Sequence, residues 1–273
     1  MTPSALQKFE LQTNGFKSAA SAALKVYGID VKRIWSSIRH IPNFCVTAVH
    51  YLRLQHSVPG TLKLSWKHLR PITYDFGTSM NVTDPEYFYQ DWWVAREIFV
   101  SSPLRHLDIG SRLDGFLTHL LVFRNVEAVD VRPINVNVQG LSTVIANACN
   151  MPEIPDESID SVSCLHTIEH LGLGRYGDLV DPSGPERAAR EMIRILKPGG
   201  RIYVSAPIGR ERLQFNAQRV FAPNRLLELF QPLSLENFAA IDDNGQFIEN
   251  AKPDDFAHAR DACGIYVLTK SEC

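Results

Sequence analysis

Two kinds of hydrophobic spacing divide the chain. Between residues 29 and 39, Ile29, Val31, Ile34, Trp35 and Ile38 recur at helical intervals, while Lys32, Arg33 and Arg39 lie off that stripe. Before it, residues 16–27 are rich in alanine and stop at Gly28, which reads as an earlier helix. Pro42 suits the first turn of a third helix running to about Arg53. Pro59-Gly60 interrupts the pattern, and residues 61–90 read as irregular and aromatic-rich. From residue 104 the spacing changes. Short apolar runs at 104–109, 126–131, 141–146, 159–165 and 201–206 alternate with helical stretches, which predicts a parallel sheet covered on both faces. The last run, 264–270, follows a loop and is expected to pair antiparallel at the end of the sheet. The pattern predicts an α/β domain over residues 73–273 preceded by a mainly helical extension over 1–72.

Composition narrows the class. The chain has 273 residues, 45% apolar and 21% charged, which suits a globular protein with a sizeable core. Its cysteines (Cys45, Cys149, Cys164, Cys263 and Cys273) are odd in number and widely spaced, with no CxxC pair, against a disulfide framework or a zinc ribbon. The start lacks a basic region followed by an apolar one, and no run of about 18 apolar residues occurs, so a cytoplasmic location is expected. Net charge is −2, but residues 1–72 hold ten Lys/Arg against two acids. That asymmetry, with Trp35, Phe44 and Tyr51, predicts that residues 1–57 dock on an anionic partner. The expected partner is a membrane face, with the protein peripheral at the inner side.

The chemistry concentrates at strand ends. In Leu107-Asp-Ile-Gly-Ser-Arg-Leu-Asp-Gly-Phe116 a strand ends in an acid and a glycine turn leads into a helix. A second strand ends in Asp130, placed to accept hydrogen bonds from ribose hydroxyls. Arg112 and Asp114 stand in the glycine loop, where a pyrophosphate needs a bare helix N-terminus, so a ligand with ribose but no phosphate fits better. After the third strand comes Ala146-Asn-Ala148. The fourth ends in His166-Thr-Ile-Glu-His170, and Leu196-Lys-Pro-Gly-Gly200 turns into the fifth. His166-x-x-Glu169-His170 also matches the inverted zinc-protease pattern, but the strand before it fits the sheet, and no metal is expected. His166, at the carboxyl end of the fourth strand, is the candidate general base, with His170 expected to face the core and Asp178 the next candidate. Arg175, Tyr176, Asn216 and Arg219 are candidate acceptor contacts. The segment Tyr87-Phe-Tyr-Gln-Asp-Trp-Trp93 reads either as a lid or as the first helix packing on the sheet.

Asp108 to Gly115, Asp130, the Asn147-Ala148 corner, Ser158-Ile-Asp160, Glu169-His170 and Leu196 to Gly200, in this order, resemble the class I S-adenosylmethionine-dependent methyltransferases over about residues 100–270. The stretches HLDIGSRLDG and SCLHTIEHLGLGRYGD resemble a subfamily associated with surface-glycan genes. The resemblance implies a Rossmann-like, seven-stranded, mostly parallel sheet of order 3-2-1-4-5-7-6, with S-adenosyl-L-methionine as cofactor. It implies contacts from Asp108, Gly110, Ser111, Arg112, Gly115 and Leu165 near the methionine and ribose, from Asp130 to the ribose hydroxyls, from Val131 to the adenine face, and from Asn147 and Ala148 to its edge. The expected activity is O-methylation of a sugar hydroxyl of a surface glycan or its precursor. The alternative is a non-catalytic S-adenosylmethionine-binding scaffold of a glycan assembly system. No pocket motif for a flipped base is present, so nucleic acid is not an expected partner.

Overall fold

The computed structural model describes residues 28–57, 60, 62–76 and 84–272; the expected helix over 16–27 lies outside them. Two compact units meet in sequence between residues 81 and 82, nine residues beyond the expected boundary at 72. In the first unit, Asp30 caps helix α1 (Val31–Arg39) by accepting from the Arg33 amide at 3.0 Å. Helix α2 (Ile41–Leu54) opens with Pro42 in its first turn and is followed by a short 3₁₀ turn at Trp66–His68.

The second unit begins with α3 (Pro85–Ser101), so the stretch read as irregular to residue 90 is helical from Pro85. Proline at the first helical position fixes the start, and Ser102 ends the helix in a left-handed conformation at φ 45°. The aromatic segment 87–93 is thus the first helix of this unit. Trp93, Val94 and Ile98 are fully buried, in a cluster with Phe116, Leu117, Leu120 and Ile265.

The strands are β1 (His106–Ile109), β2 (Val126–Asp130), β3 (Leu141–Ile145), β4 (Ile159–Leu165) and β5 (Leu196–Ile208). A hairpin of β6 (Arg212–Gln214) and β7 (Gln218–Val220) follows. The chain ends with β8 (Ser234–Ile241), β9 (Phe247–Ile248) and β10 (Ala262–Thr269). Helices α4 (Phe116–Leu121), α5 (Gly184–Ile195) and α6 (Pro223–Leu229) complete the unit. The sheet runs β3-β2-β1-β4-β5-β10-β8-β9, parallel from β3 to β5, with β10 antiparallel to both of its neighbours. This is the expected 3-2-1-4-5-7-6 order with one added strand, β9, at the edge. It is a Rossmann-like α/β fold with a mostly parallel sheet. Strand β5 starts earlier than expected: Lys197 to Gly200 lie inside it, and the register slips between Ile159 and Ser161 to absorb them.

Each face of the sheet is covered. On one side Ala188, Met192, Ile195, Leu226 and Phe230 from α5 and α6 pack on β4, β5 and β10; on the other lies the α3–α4 cluster. Strands β1 and β4 are buried along almost their whole length, and they alternate apolar residues with the buried polar His106, Asp108, Ser161 and Ser163. Strand order reverses direction between β1 and β4, which opens a crevice at the carboxyl ends of the strands.

Candidate functional site

A cavity of about 860 Å³ lies in that crevice. Gly110 forms its floor at φ +73°, a conformation that favours glycine; a Cβ there would meet Thr167 Cγ2 at 2.6 Å. Gly110, Ser111, Arg112, Gly115, Asp130, Val131, Asn147, Ala148, Leu165, His166, His170, Tyr176 and Asp178 all line this one space, so most residues singled out in the sequence converge.

Asp108 does not reach it. Its carboxylate is fully buried and accepts from Ser163 Oγ (2.6 Å), Ser111 Oγ (2.8 Å) and the Ser111 amide (3.1 Å), so it braces the Gly110 turn from behind. Burial pushes its pKa up to about 6, against the pull of these donors. Behind it, His106 bridges Ser161 (2.8 Å) and Ser163 (3.1 Å), and burial holds the imidazole neutral with a pKa of about 3. Arg112 and Asp114 pair with each other at 2.9 Å in an exposed position on the rim. Asp130, one-tenth exposed, faces the cavity with its carboxylate gripped by Arg132, Nε at 2.9 Å and Nη2 at 2.7 Å. Arg132 in turn lies 4.7 Å over the Tyr176 ring. The Asn147 carbonyl accepts from the Cys149 amide at 2.9 Å, which fixes the corner after β3 and leaves the amide hydrogens for an adenine edge.

The end of β4 holds the ionisable core. His166 sits at φ 46°, a left-handed conformation that costs a non-glycine residue roughly 1–2 kcal/mol. Its Nδ1 is 3.0 Å from Glu169 Oε1, its ring lies tilted against that of Tyr87 with centroids 5.0 Å apart, and its amide donates to Ser205 Oγ at 3.1 Å. Burial works against protonation of His166; Cys263 and the Glu169 carboxylate work for it, and together they lift its pKa well above the usual range. Cys263 is pulled two ways in turn: burial raises its pKa and the neighbouring His166 lowers it. Glu169 Oε2 and His166 Nε2 are buried without a hydrogen bond.

His170 faces the cavity rather than the core. Its Nδ1 donates to the Ala217 carbonyl at 2.7 Å, and burial lowers its pKa. Residues 166–170 form successive turns and not one turn of helix, and the two Nδ1 atoms face different partners, which separates this segment from a zinc-protease site. Among the described residues, no group of three or more His, Cys, Asp or Glu is placed to hold a metal.

The remaining candidates are structural in their contacts. Asp178 accepts from three backbone amides, those of Gly172 (2.8 Å), Gly174 (3.3 Å) and Tyr176 (3.2 Å), so it organises the loop it belongs to. Arg175 lies outside the cavity and donates to the Ala217 carbonyl at 2.9 Å. Arg219 also lies outside, donating to the carbonyls of Glu169 (3.2 Å) and Leu171 (2.7 Å), and it ties β7 to the His166–Leu171 turns. Asn216 is exposed at the tip of the β6–β7 hairpin, away from the cavity.

Several further residues line the cavity, three of them from the Tyr87–Trp93 segment that the sequence reads as a lid or a first helix. Tyr87, Gln90 and Asp91 form one wall from α3. Gln90 Nε2 donates to Asp91 Oδ1 at 2.9 Å, and Ser205 Oγ donates to Gln90. Their spacing is a helical signal: three polar or amphipathic positions at i, i+3 and i+4, two of which, Gln90 and Asp91, are buried with Trp93, Val94 and Ile98. Thr167, Arg132, Asp181, Ser183 and Arg187 also line the cavity, and nothing in their sequence spacing marks them.

Residues 142–252, less than half of the chain, match the family model described as "Caenorhabditis protein of unknown function, DUF268". No curated protein matches the sequence. Among solved structures, the chain is similar to the N-methyltransferase NodS from Bradyrhizobium japonicum in complex with S-adenosyl-L-homocysteine, at 14% identity over 68% of this chain and 88% of that one, with a TM-score of 0.49. It is similar to 1,6-didemethyltoxoflavin-N1-methyltransferase from Burkholderia thailandensis at 14% identity over 67% and 79%, with a TM-score of 0.48. It is also similar to the [4+2]-cyclase SpnF at 15% identity over 66% and 82%, with a TM-score of 0.47. With TM-scores below 0.5, none of these likenesses bears on what the chain does.

Proposed function

We propose that the chain is an S-adenosylmethionine-dependent methyltransferase acting on a hydroxyl acceptor, with a sugar as the acceptor class. One observation carries the reading. The Gly110 turn after β1, Asp130 at the end of β2 and the Asn147-Ala148 corner after β3 line a single cavity at the strand-order reversal. The donor set fits the cofactor. The carboxylate of Asp130 suits two ribose hydroxyls, Val131 an adenine face, and the Asn147 amide a ring nitrogen. The self-paired Arg112 and Asp114 suit a ligand without phosphates there. When bound, the cofactor supplies an electrophilic methyl on a sulfonium.

The chain's own part is to place the acceptor and take its proton. The sequence reading assigned that proton to His166. The pKa of His166 is raised well above the ordinary histidine value, with Cys263 and the Glu169 carboxylate at 3.0 Å favouring the protonated ring against burial, which suits it to hold the acceptor oxygen or an anionic group. His170 is the better base. Its Nδ1–H is engaged by Ala217, so Nε2 carries the lone pair, and its lowered pKa keeps it neutral. Tyr176, Asp181, Ser183 and Arg187 give the rim an aromatic and hydrogen-bonding character that suits a sugar.

Calorimetry with S-adenosylhomocysteine tests the cofactor site. Asp130→Ala removes two hydrogen bonds to a charged acceptor, each worth roughly 1.5–3 kcal/mol, so affinity falls at least about tenfold. Unchanged affinity removes Asp130 from the site, and tighter binding of NAD than of S-adenosylhomocysteine overturns the reading.

A further inference from the structure

Helix α1 is amphipathic but faces the opposite way from a helix in a soluble core. Among the described residues of its own unit, side-chain contacts come to its polar side. The Arg33 guanidinium lies 3.8 Å over the Tyr74 ring, Ser36 Oγ donates to the Tyr74 carbonyl at 3.0 Å, and Thr73 Oγ1 donates to the Ser37 carbonyl at 2.9 Å. At about 100° per residue, Val31, Ile34, Trp35 and Ile38 share an arc of roughly 100° on the other side. Those four side chains are 43%, 50%, 67% and 55% exposed. Helix α2 continues the anomaly. It is apolar on most sides, contains no buried residue, and carries one charged side chain, Arg53, in its last turn. Exposed Ile41, Val46, Val49 and Leu54 extend the apolar surface.

The charge carried by this part of the chain is mostly positive. Residues 28–76 carry seven Lys/Arg against two Asp. A second copy of the chain would bring that basic surface against itself, which like-charge repulsion opposes. An anionic bilayer meets both features, taking the apolar stripe among its acyl chains and the cations among its headgroups. Trp35 suits the boundary between the two. A helix of 14 residues rises only about 21 Å, short of a hydrocarbon core of about 30 Å, so it lies along the surface rather than across it. Among the described residues, no helix is long and apolar enough to span a membrane. We propose that α1 and α2 seat this protein on an anionic lipid surface, with the Val31–Ile38 stripe inserted in the interface. The inference is independent of the cofactor reading.

Co-sedimentation of the full chain with vesicles of phosphatidylglycerol and phosphatidylcholine, against phosphatidylcholine alone, tests it. The expected result is binding that rises with the anionic fraction and a blue shift of tryptophan emission. Ile38→Asp should weaken binding about tenfold or more, while Val100→Asp, the same charge on an exposed position of the second unit, leaves it unchanged. Unaltered circular dichroism of both variants keeps the comparison valid at these exposed positions. Absence of vesicle binding, indifference to anionic lipid, or equal loss in both variants overturns the proposal. So does a lipid-free dimer that Ile38→Asp dissociates without changing vesicle binding, since the stripe would then be a self-association surface.

Discussion

Behind the Gly110 turn, His106, Ser163 and Asp108 form one buried chain whose two ionisable members oppose each other as pH changes. His106 is neutral in the fold down to a pKa of about 3, while an unfolded histidine titrates near 6.5. Its contribution is therefore complete above about pH 6.5 and is lost as pH falls through the interval down to 3. Asp108 has a folded pKa of about 6, above its unfolded value, so the fold gains stability from it as pH falls below about 6 towards 4. In the native chain the two largely offset one another at mildly acid pH. His106→Gln keeps a hydrogen-bonding side chain but removes the acid loss. Urea denaturation at pH 7 and pH 4.5 should show its stability at the lower pH improved, relative to wild type, by on the order of 2 kcal/mol. An identical pH response in both proteins would show that His106 is already solvated. Nothing in the sequence marked this chain as more than a strand. His106 alternates with Asp108 on one face of β1, but their burial depends on Ser161 and Ser163, which lie 55 residues further along.

At the level of elements, what could be read in the sequence follows from burial. Strands β1, β2, β4 and β5 are mostly buried and stand out by the apolar residues that recur along them, although β1 and β4 also bury His106, Asp108, Ser161 and Ser163. Strand β8 has no clear sequence signal because its first half, Ser234-Leu-Glu-Asn, is largely solvent-facing and pairs with β10 alone, while the two-residue β9 meets only Ala240 and Ile241 at its far end. The connection from β4 to α5 was legible as a site but not in its protonation, because the groups that set it come from elsewhere. Cys263 stands on β10, and the Ala217 carbonyl stands between β6 and β7. That connection therefore makes its own prediction. If His170 accepts the acceptor's proton, turnover should climb with pH on the acid side of about 6.5 and be level by about pH 7, since burial lowers its pKa from the ordinary histidine value. His170→Gln should remove that limb and lower turnover roughly 10²–10⁴-fold with cofactor affinity retained. A profile still rising above about pH 7.5, lost in His166→Gln, would return the role to His166, whose pKa lies well above the ordinary value.

For the whole molecule, division of labour between the two units can be argued from where the core lies. Both hydrophobic clusters, from Trp93 to Leu268, draw their buried members from the second unit. The cavity is lined by residues between Asp84 and Arg187, all in that unit. Helix α2, the longer helix of the first unit, buries nothing. Among the described residues, the apolar burial that drives folding is thus collected by the second unit, while both helices of the first keep an exposed apolar face. A chain of residues 82–273 should therefore melt in one cooperative transition, within a few degrees of the full chain. It should bind S-adenosylhomocysteine with affinity unchanged within about twofold, while losing attachment to anionic vesicles. Scanning calorimetry, titration and co-sedimentation read the three results separately. A fragment that folds yet binds the ligand tenfold more weakly would show that the first unit completes the site. A fragment that folds and still sediments with the vesicles would move the lipid surface into the second unit, with the exposed Phe88, Trp92 and Phe99 of α3 the place to look.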